Sequence, residues 1–395
     1  MSKNVYIGVG GVARKVKNIY IGVGGVARKV KKGYIGVGGV ARLFYSSSGY
    51  QSTITNAYTR GSWGRPIAMS IGNYAIFGGG ISGTSANTDV YDTSLTHSIK
   101  TFIFLNGNTA GASIGDGTKY CCYIEGNYGY RHYTISRSLT QIDLFSKITP
   151  SQEANGMKAC SFKNYIVFIG GSGGGSDELN CGPTYAINDN LTWTSLRQLG
   201  PTLNFGVASN DTYLLAGGGT YENMTSSLGR HSITYNNLRS LNTSLTVSDV
   251  ETMHLGGLCA SSAVRLNNKI LFLDGSVYSF NSSLTKITAG ELTGSNGNGR
   301  PLSTGVVFNN KSGFTSGYDD VTVNGYGYMT SLVSGNYSNA IDLFDDSLTK
   351  TNDVTLSVGR YNSCSTSVGD YVLIGYGSTS DSSTSNIIDV YTKQM

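Results

Sequence analysis

The stretch Tyr165-Ile166-Val167-Phe168-Ile169-Gly170-Gly171 carries the pattern on which the fold prediction depends: an apolar run that ends in two glycines. β-Branched and aromatic residues favour a strand, and glycine permits the sharp turn that ends it. Similar apolar runs ending in glycine recur about seven times between Ser48 and Met395, at residues 74–80, 120–126, 165–171, 213–219, 270–275, 328–335 and 371–377. The chain is therefore predicted to repeat one small β unit.

Each unit has a second signature, a turn in which Asp, Asn or Ser precedes a Leu-Thr pair. The turn after residues 184–187 reads Asn188-Asp189-Asn190-Leu191-Thr192. Asp and Asn start turns readily because their side chains hydrogen-bond the backbone two residues on. The turn leucines are Leu95, Leu139, Leu191, Leu238, Leu284 and Leu348, at intervals of 44, 52, 47, 46 and 64 residues. A period of roughly 40 to 50 residues with four strands per repeat indicates the blades of a β-propeller.

The repeats resemble the Kelch family of β-propellers. Members of that family carry a glycine pair after the second strand of a blade and an aromatic residue in the third. The glycine pairs here are Gly78-Gly79, Gly170-Gly171 and Gly217-Gly218, the aromatic residues are Tyr91, Phe280, Phe344 and Tyr391, and the family's later tryptophan survives only as Trp193. The resemblance covers roughly residues 50–395 and implies an all-β, Kelch-like propeller with seven blades.

Two details of the repeat lead to further predictions. The seventh unit stops at residues 391–395, just after its third strand, so we expect the alternating residues 51–57 to supply the missing fourth strand and close the ring. The sixth unit is longer than the others, and we interpret Phe308-Asn309-Asn310-Lys311-Ser312-Gly313-Phe314 as a long loop that projects from one face. Long loops on rigid scaffolds are common binding sites.

Composition limits the class of protein. Only 13% of the residues are charged, 54 are glycine and five are proline, which favours tight-turned β structure with almost no helix. Cys160, Cys259 and Cys364 begin blades where other units have alanine, and we interpret them as small hydrophobic residues of the innermost strands. There is neither a signal-peptide pattern nor an apolar run long enough to span a membrane, so we expect no secretion signal and no membrane insertion.

The first 45 residues are three near-identical copies of a 14-residue unit that contain nine Lys or Arg and no acidic residue. Each copy contains Tyr-Ile-Gly-Val-Gly-Gly-Val-Ala-Arg, beginning at Tyr6, Tyr20 and Tyr34, and the glycine pair suits a two-residue hairpin turn. We predict strand, turn and strand three times. The match of Gly8-Val9-Gly10-Gly11-Val12-Ala13 to a dinucleotide fingerprint is attributed to chance, because a Rossmann unit needs about 30 residues and an acidic residue on the next strand.

These tandem units resemble the N-termini of virion proteins encoded by phages and prophages of clostridia-like bacteria. The resemblance implies a structural protein of the phage tail, fibre, baseplate or neck, located in the virion and assembled in the host cytoplasm. Residues 1–45 would attach it to other virion proteins, 46–49 would be a linker, and the propeller at 50–395 would bind a host-surface glycan or protein. We expect several copies per virion and no specific nucleic acid. The expected attachment residues are Tyr6, Arg14, Tyr20, Arg28, Tyr34 and Arg42.

An enzyme is the alternative function class. Arg65, Arg300 and Arg360 open three units in Gly-Arg contexts, and around the propeller axis they could serve a glycan-processing enzyme that acts on host polysaccharide. The alternative is that these arginines have a structural role. We therefore expect a non-enzymatic protein without cofactor or metal. Further weak binding candidates, which could stack on sugars or pack between blades, are Trp63, Tyr130 and Tyr318. His97, His132, His231 and His254 lack metal-ligand spacing and are interpreted as loop or turn residues.

Overall fold

The structure is a computed structural model. It describes the backbone of residues 6–9, 12–15, 20–23, 26–29, 32–37, 40–46, 50–60, 66–79, 87–102, 108–113, 119–126, 131–144, 157–170, 184–199, 205–218, 220–225, 229–234, 237–252, 262–293, 303–317, 321–323, 329–332, 337–380 and 383–393. All the regular structure in these ranges is β, so none of them contributes a helix that could cross a membrane.

The N-terminal repeats form three separate two-stranded hairpins, as predicted. Their strands are β1 (Tyr6–Val9) with β2 (Val12–Lys15), β3 (Tyr20–Val23) with β4 (Val26–Lys29), and β5 (Lys32–Val37) with β6 (Val40–Ser46). In the first two hairpins, Tyr pairs with Lys at the open end and Val pairs with Val beside the Gly-Gly turn. The same sequence therefore gives the same backbone register twice.

The rest of the chain forms β7 (Tyr50–Arg60) and seven antiparallel sheets, which we call blades 1 to 7. Blade 1 contains β8 (Pro66–Ile71), β9 (Tyr74–Gly79), β10 (Asn87–Asp92) and β11 (His97–Thr101). Blade 2 contains β12 (Asn108–Ser113), β13 (Tyr120–Gly126), β14 (Arg131–Ser136) and β15 (Gln141–Asp143). Blade 3 contains β16 (Lys158–Phe162), β17 (Tyr165–Ile169), β18 (Thr184–Asn188) and β19 (Trp193–Leu196).

Blades 4 and 6 each contain an extra hairpin between their second and third strands. Blade 4 consists of β20 (Gly206–Ser209), β21 (Tyr213–Gly217), β24 (Asn237–Asn242) and β25 (Val247–Thr252), with the hairpin β22 (Thr220–Thr225) and β23 (Gly229–Thr234). Blade 5 consists of β26 (Ser262–Leu266), β27 (Lys269–Asp274), β28 (Ser276–Phe280) and β29 (Lys286–Gly290). Blade 6 consists of β30 (Thr304–Val307), β31 (Lys311–Thr315), β34 (Ala340–Asp345) and β35 (Lys350–Thr355), with the hairpin β32 (Val321–Val323) and β33 (Met329–Leu332).

Blade 7 closes the ring with strands from both ends of the chain. It contains β36 (Cys364–Val368), β37 (Tyr371–Gly375), the short β38 (Ser378–Ser380) and β39 (Ser383–Thr392). β7 pairs antiparallel with β39, and Ile54 lies opposite Ile388. The predicted closure is therefore confirmed: the N-terminal strand covers an edge that β39 would otherwise expose.

A buried polar network fastens β7 to its neighbours. The Asn56 side-chain amide donates to the Tyr376 hydroxyl at 2.8 Å and accepts a hydrogen bond from the Tyr91 hydroxyl. Tyr376 in turn donates to Asp89 at 2.6 Å, and His97 contacts the other oxygen of that carboxylate at 2.9 Å. The network joins blade 1 to blade 7, so the closing strand is held by side chains as well as by its backbone pairing.

The hydrophobic core is divided into seven clusters, one between each pair of neighbouring blades. Tyr91, Phe280, Phe344 and Tyr391 lie in third strands, as the repeat predicted, and all four are fully buried. Among the described residues each of these clusters joins two neighbouring blades, so the ring depends on its closure. Innermost strands of neighbouring blades are in contact around the ring, including β36 against β8.

Six turns between third and fourth strands share one geometry, with leucine in the left-handed region. In blade 3, Leu191 has φ 59°, and the Asn188 side chain accepts hydrogen bonds from the backbone N–H groups of Asn190 and Thr192. Left-handed φ is costly for leucine. Leu191 packs against the cluster shared with blade 2, which offsets that cost. The prediction of Leu238 as the turn residue of blade 4 is wrong: Leu238 is in β24, and the turn leucine is Leu245, with φ 59°.

The predicted layout of the sixth blade is also wrong. Phe308 is 3% exposed and Phe314 is fully buried, so the expected projecting loop is the first turn of the blade and its second strand, β31. The apolar run at 328–335, expected to be a blade strand, contributes β33 to the inserted hairpin instead. The interval of 64 residues therefore arises from an insertion after the second strand.

The interpretation of the histidines as loop or turn residues is wrong for His97, His132 and His231, which lie in β11, β14 and β23, and His254 is outside the described residues. His132 is fully buried between blades 2 and 3, where its Nε2 atom contacts the Tyr185 hydroxyl and its ring packs edge-on to Phe168. Burial lowers the pKa of His132 from 6.5 to about 4. The ring is therefore neutral in the folded protein at neutral pH.

Acidification is expected to destabilise the propeller through His132. Below pH 6.5 the His132 side chain becomes protonated in the unfolded chain, whereas in the folded chain it stays neutral until about pH 4. The free energy of unfolding then falls by up to ~1.4 kcal/mol per pH unit, on the order of 3 kcal/mol over the window. Denaturant unfolding of the protein and of a His132→Phe variant between pH 7 and 4.5 measures the difference in slope. Parallel pH profiles would contradict this assignment.

Candidate functional site

The innermost strands surround a central channel of about 630 Å³. Side chains of alternate residues face the axis, and most are small: Ala68, Ser70, Gly111, Ser113, Ala159, Ser161, Val207 and Ser209 line one side of it. Small side chains are needed because the strands approach closely. At Gly305, on the same ring, a Cβ atom would lie 2.9 Å from the Ala263 carbonyl oxygen.

A chain of serine hydroxyls links the channel walls of blades 1 to 4. Ser113 donates to the carbonyl oxygen of Ser70, Ser161 donates to that of Ser113, and Ser209 donates to that of Ser161. Each serine therefore uses its proton to join its blade to the preceding one. A hydroxyl oxygen can also accept hydrogen bonds, and that of Ser113 lies 3.3 Å from the Ser70 hydroxyl. The sequence signal is a serine two positions before the first turn of several units, and the sequence interpretation missed it.

Charged residues surround one mouth of the channel. Lys163 and Asp211 lie in the first turns of blades 3 and 4, and Arg265 precedes the first turn of blade 5. The Arg265 guanidinium donates to Asp211 at 2.9 Å and to the Asn267 carbonyl oxygen at 2.7 Å. The mouth is thus polar and carries both signs of charge. Within the described residues, no group of His, Cys, Asp and Glu is arranged to hold a metal ion.

The topology gives the ring two different faces. In blades 1 to 6 the first and second strands join at the same end as the third and fourth, and we call this end the turn face. In blade 7 the first and second strands also join at this end. The connections between second and third strands and between successive blades lie at the opposite end, the loop face. The inserted hairpins β22–β23 and β32–β33 both leave from the loop face, because each follows a second strand. The charged channel mouth is on the turn face.

Arg360 is the only one of the three candidate arginines among the described residues, and its side chain is fully buried. The guanidinium forms an ion pair with Asp389 and donates to the Ile387 carbonyl oxygen at 2.9 Å. It therefore holds the third strand of blade 7 and does not line the channel. Asp389 also accepts from the Ser357 backbone N–H at 3.3 Å, which ties the connection from blade 6 to blade 7.

The remaining candidate binding residues, Arg65, Arg300, Trp63, Tyr130 and Tyr318, lie outside the described residues. The attachment candidates Tyr6, Arg14, Tyr20, Arg28, Tyr34 and Arg42 lie in hairpin strands, of which only the backbone is described. Of the cysteines expected in innermost strands, Cys160 lies in β16 and Cys364 in β36, as predicted, and Cys259 is outside the described residues.

The fold is shared with a protein of known structure. The chain is similar to YjhT, with a TM-score of 0.54 and 12% sequence identity, over 86% of this chain and 97% of that chain. The protein is a seven-bladed β-propeller. At this level of identity the similarity establishes the fold alone. No family model and no curated protein sequence matches the chain.

Proposed function

We propose that this chain is a structural protein of a bacteriophage particle: residues 1–45 attach it to the particle, and the propeller is displayed for binding. One observation carries the proposal. The chain enters the ring at Tyr50, which pairs with Tyr391 beside the turn face, at the end opposite the loop face. A propeller held through its N-terminal segment can therefore present the loop face, with both inserted hairpins, to another molecule.

The near-identical hairpins support an attachment role for the N-terminal segment. Hairpins of four-residue strands cannot bury a core of their own, so they need another surface to be stable. The propeller, by contrast, has its own core and closes with β7, which begins after the hairpins. These two parts of the chain therefore have separable roles, attachment and display.

We propose that the displayed propeller acts by binding and not by catalysis. Loops on a rigid scaffold are suited to recognition, and the two inserted hairpins lengthen the loop face of blades 4 and 6. A host-surface glycan or protein, or a second virion protein, is the expected ligand. The glycan-processing alternative requires arginines that are free to bind a substrate near the axis. The guanidinium of Arg360 is instead buried in an ion pair with Asp389, which weighs against this alternative.

Particle composition tests the proposal. In the phage or prophage that encodes the chain, we would compare the full-length protein with two variants: one lacks residues 1–45, and the other has residues 220–234 replaced by a short glycine linker. The first variant should fold but be absent from purified particles. The second should be incorporated, because β21 pairs directly with β24 without the hairpin, and should reduce adsorption to host cells. Incorporation of the first variant at the normal level would refute the attachment role.

A further inference from the structure

The three N-terminal hairpins belong to separate sheets. In the part of this segment that the structure describes, β1 pairs with β2, β3 with β4 and β5 with β6, which gives three two-stranded sheets instead of one continuous sheet. Each hairpin therefore leaves two strand edges open. An isolated two-stranded hairpin is marginally stable in water. Each unit must gain its stability from a surface that is not part of its own sheet.

The sequence of the units indicates that they make the same contact. Residues 4–17 and 18–31 differ at one position, Val5 against Ile19, and nine consecutive residues are identical in all three units. A spacer would need only length and polarity, whereas here the apolar, glycine and arginine positions are all repeated. The third hairpin keeps these nine residues, but its strands are longer and it leads into the propeller. Identical surfaces recognise identical sites, so the partner offers the same site more than once.

The linker limits how far apart these sites can be. Four residues, 16–19, separate β2 from β3, which allows about 18 Å between Lys15 and Tyr20 when fully extended. Tyr6 and Lys15 are paired, so they lie about 5 Å apart. Equivalent points of successive hairpins are thus at most about 23 Å apart. A globular subunit of 100 residues has a radius of gyration of about 13 Å. The centres of two such subunits in contact lie more than twice this radius apart, so the hairpin spacing is shorter than the spacing of separate globular subunits.

Charge defines the chemistry of the partner. Residues 1–45 contain nine cations and no acid, while the remaining residues carry a net charge near −4. An acidic surface complements this segment, and the propeller would not compete for it. Nucleic acid is also acidic, but phosphate contacts do not require a repeated Tyr-Ile-Gly-Val sequence or a hairpin of fixed register. A protein surface explains both the charge and the repetition.

We infer that the N-terminal segment is a multivalent anchor whose hairpins dock individually on equivalent sites of a slender, acidic homo-oligomeric protein, such as a shaft whose identical chains lie side by side. The inference rests on the proposed attachment role. Several weak contacts, each made by one hairpin, then hold one propeller, because the linkers keep the second and third hairpins at high effective concentration once the first is bound.

The test measures affinity as a function of hairpin number. The probe is purified phage particles assembled without this chain and immobilised on a sensor surface. The analytes are the full chain and variants lacking residues 4–17, residues 4–31 and residues 1–45, each with an intact propeller. We expect Kd to weaken at least tenfold with each hairpin removed, and increasing salt to weaken binding by the full chain most. Replacing residues 4–17 with fourteen glycine and serine residues should match the deletion of that unit.

Three results would overturn the inference. Equal affinity of the full chain and the variant lacking 4–17 would show that the first hairpin adds no contact. Complete loss on removing 4–17 alone would show one composite surface instead of separate sites. Competition by random-sequence duplex DNA as effective as by soluble particles would identify nucleic acid as the ligand. If the full chain itself does not bind the particles, the attachment role fails and the multivalent anchor fails with it.

Discussion

Removing residues 1–60 is expected to destroy the closed propeller, whereas removing residues 1–45 should leave it intact. The two deletions differ by fifteen residues that include β7, the fourth strand of blade 7. Without β7, the edge of β39 is exposed and the cluster between blades 7 and 1 loses its contact with Ile54. Tyr91 and Tyr376 also lose Asn56, the group to which both are hydrogen-bonded inside the protein.

The expected effect is large because the defect is at the closure of the ring. The two hydrogen bonds made by Asn56 contribute about 0.5–1.5 kcal/mol each, and the lost strand pairing and burial of β7 add to that. An open strand edge also promotes association between molecules. We therefore expect the shorter protein to aggregate or to unfold without a cooperative transition. The protein lacking 1–45 should keep its melting temperature within about 2 °C, the change produced by ~1 kcal/mol in a domain of this size.

Thermal unfolding and size-exclusion chromatography of both proteins measure this difference. A peptide of residues 46–60 added in trans provides a matched rescue, since it contains the whole of β7. It should restore a cooperative transition to the protein lacking 1–60, and the same peptide with Asn56→Ala should do so less well. A monomeric, cooperatively unfolding protein without β7 would show that the pairing of β7 with β39 is dispensable.

The sequence was sufficient to predict the blade repeat and the closure of the ring because both depend on local chemistry. The turns are encoded by an Asx or Ser residue and leucine within five positions, as in Asn188 to Thr192, and the structure shows the corresponding side-chain hydrogen bonds. The closure followed from counting strands: the last unit lacked one strand and residues 51–57 alternated. The hairpins of the N-terminal repeats were predictable for the same reason, since Gly-Gly between short apolar runs specifies a tight turn.

The two inserted hairpins could not be found in this way, because a strand pattern does not show which sheet the strand joins. The run at 328–335 looks like a blade strand, but the true second strand of blade 6 is β31, with the polar sequence Lys-Ser-Gly-Phe-Thr. Ser312 and Thr315 are buried there because neighbouring strands and blades cover them. In blade 4 the true turn, Asn242-Thr243-Ser244-Leu245-Thr246, matches the repeat better than the stretch that ends at Leu238, and the sequence interpretation overlooked it.

The role of Arg360 shows why the function of a candidate site residue could not be predicted from the sequence. Its position at the entry of a unit is visible in the sequence, but its partner Asp389 lies 29 residues later, in β39. Only the fold brings the two groups together. The sequence therefore identified an arginine of importance, and the structure assigns it to the interior of blade 7 instead of to the channel.

Replacing Arg360 by methionine is expected to destabilise the propeller by about 3–5 kcal/mol at neutral pH, because the Asp389 carboxylate is then left buried without its counterion. Burial raises the pKa of Asp389, and the ion pair with Arg360 opposes that rise. In the variant the opposition is gone, so the folded-state pKa rises further above the unfolded value of 3.8. The folded variant then takes up a proton more readily than the unfolded chain, and its loss of stability relative to the parent protein should shrink as the pH falls toward 4.

A double-mutant cycle separates the ion pair from general packing defects. Asp389→Leu leaves the Arg360 charge buried and should cost a similar amount, whereas Arg360→Met combined with Asp389→Leu removes both charges. Because both groups are fully buried, the apolar pair should be more stable than either single variant. Chemical unfolding of the four proteins at pH 7 and pH 4.5 gives the coupling energy. Additive effects of the two single substitutions, or a penalty for Arg360→Met that is the same at both pH values, would show that the two charges do not depend on each other. A strong, pH-dependent coupling would instead show that Arg360 acts as the internal counterion of blade 7, the blade in which the two ends of the propeller meet.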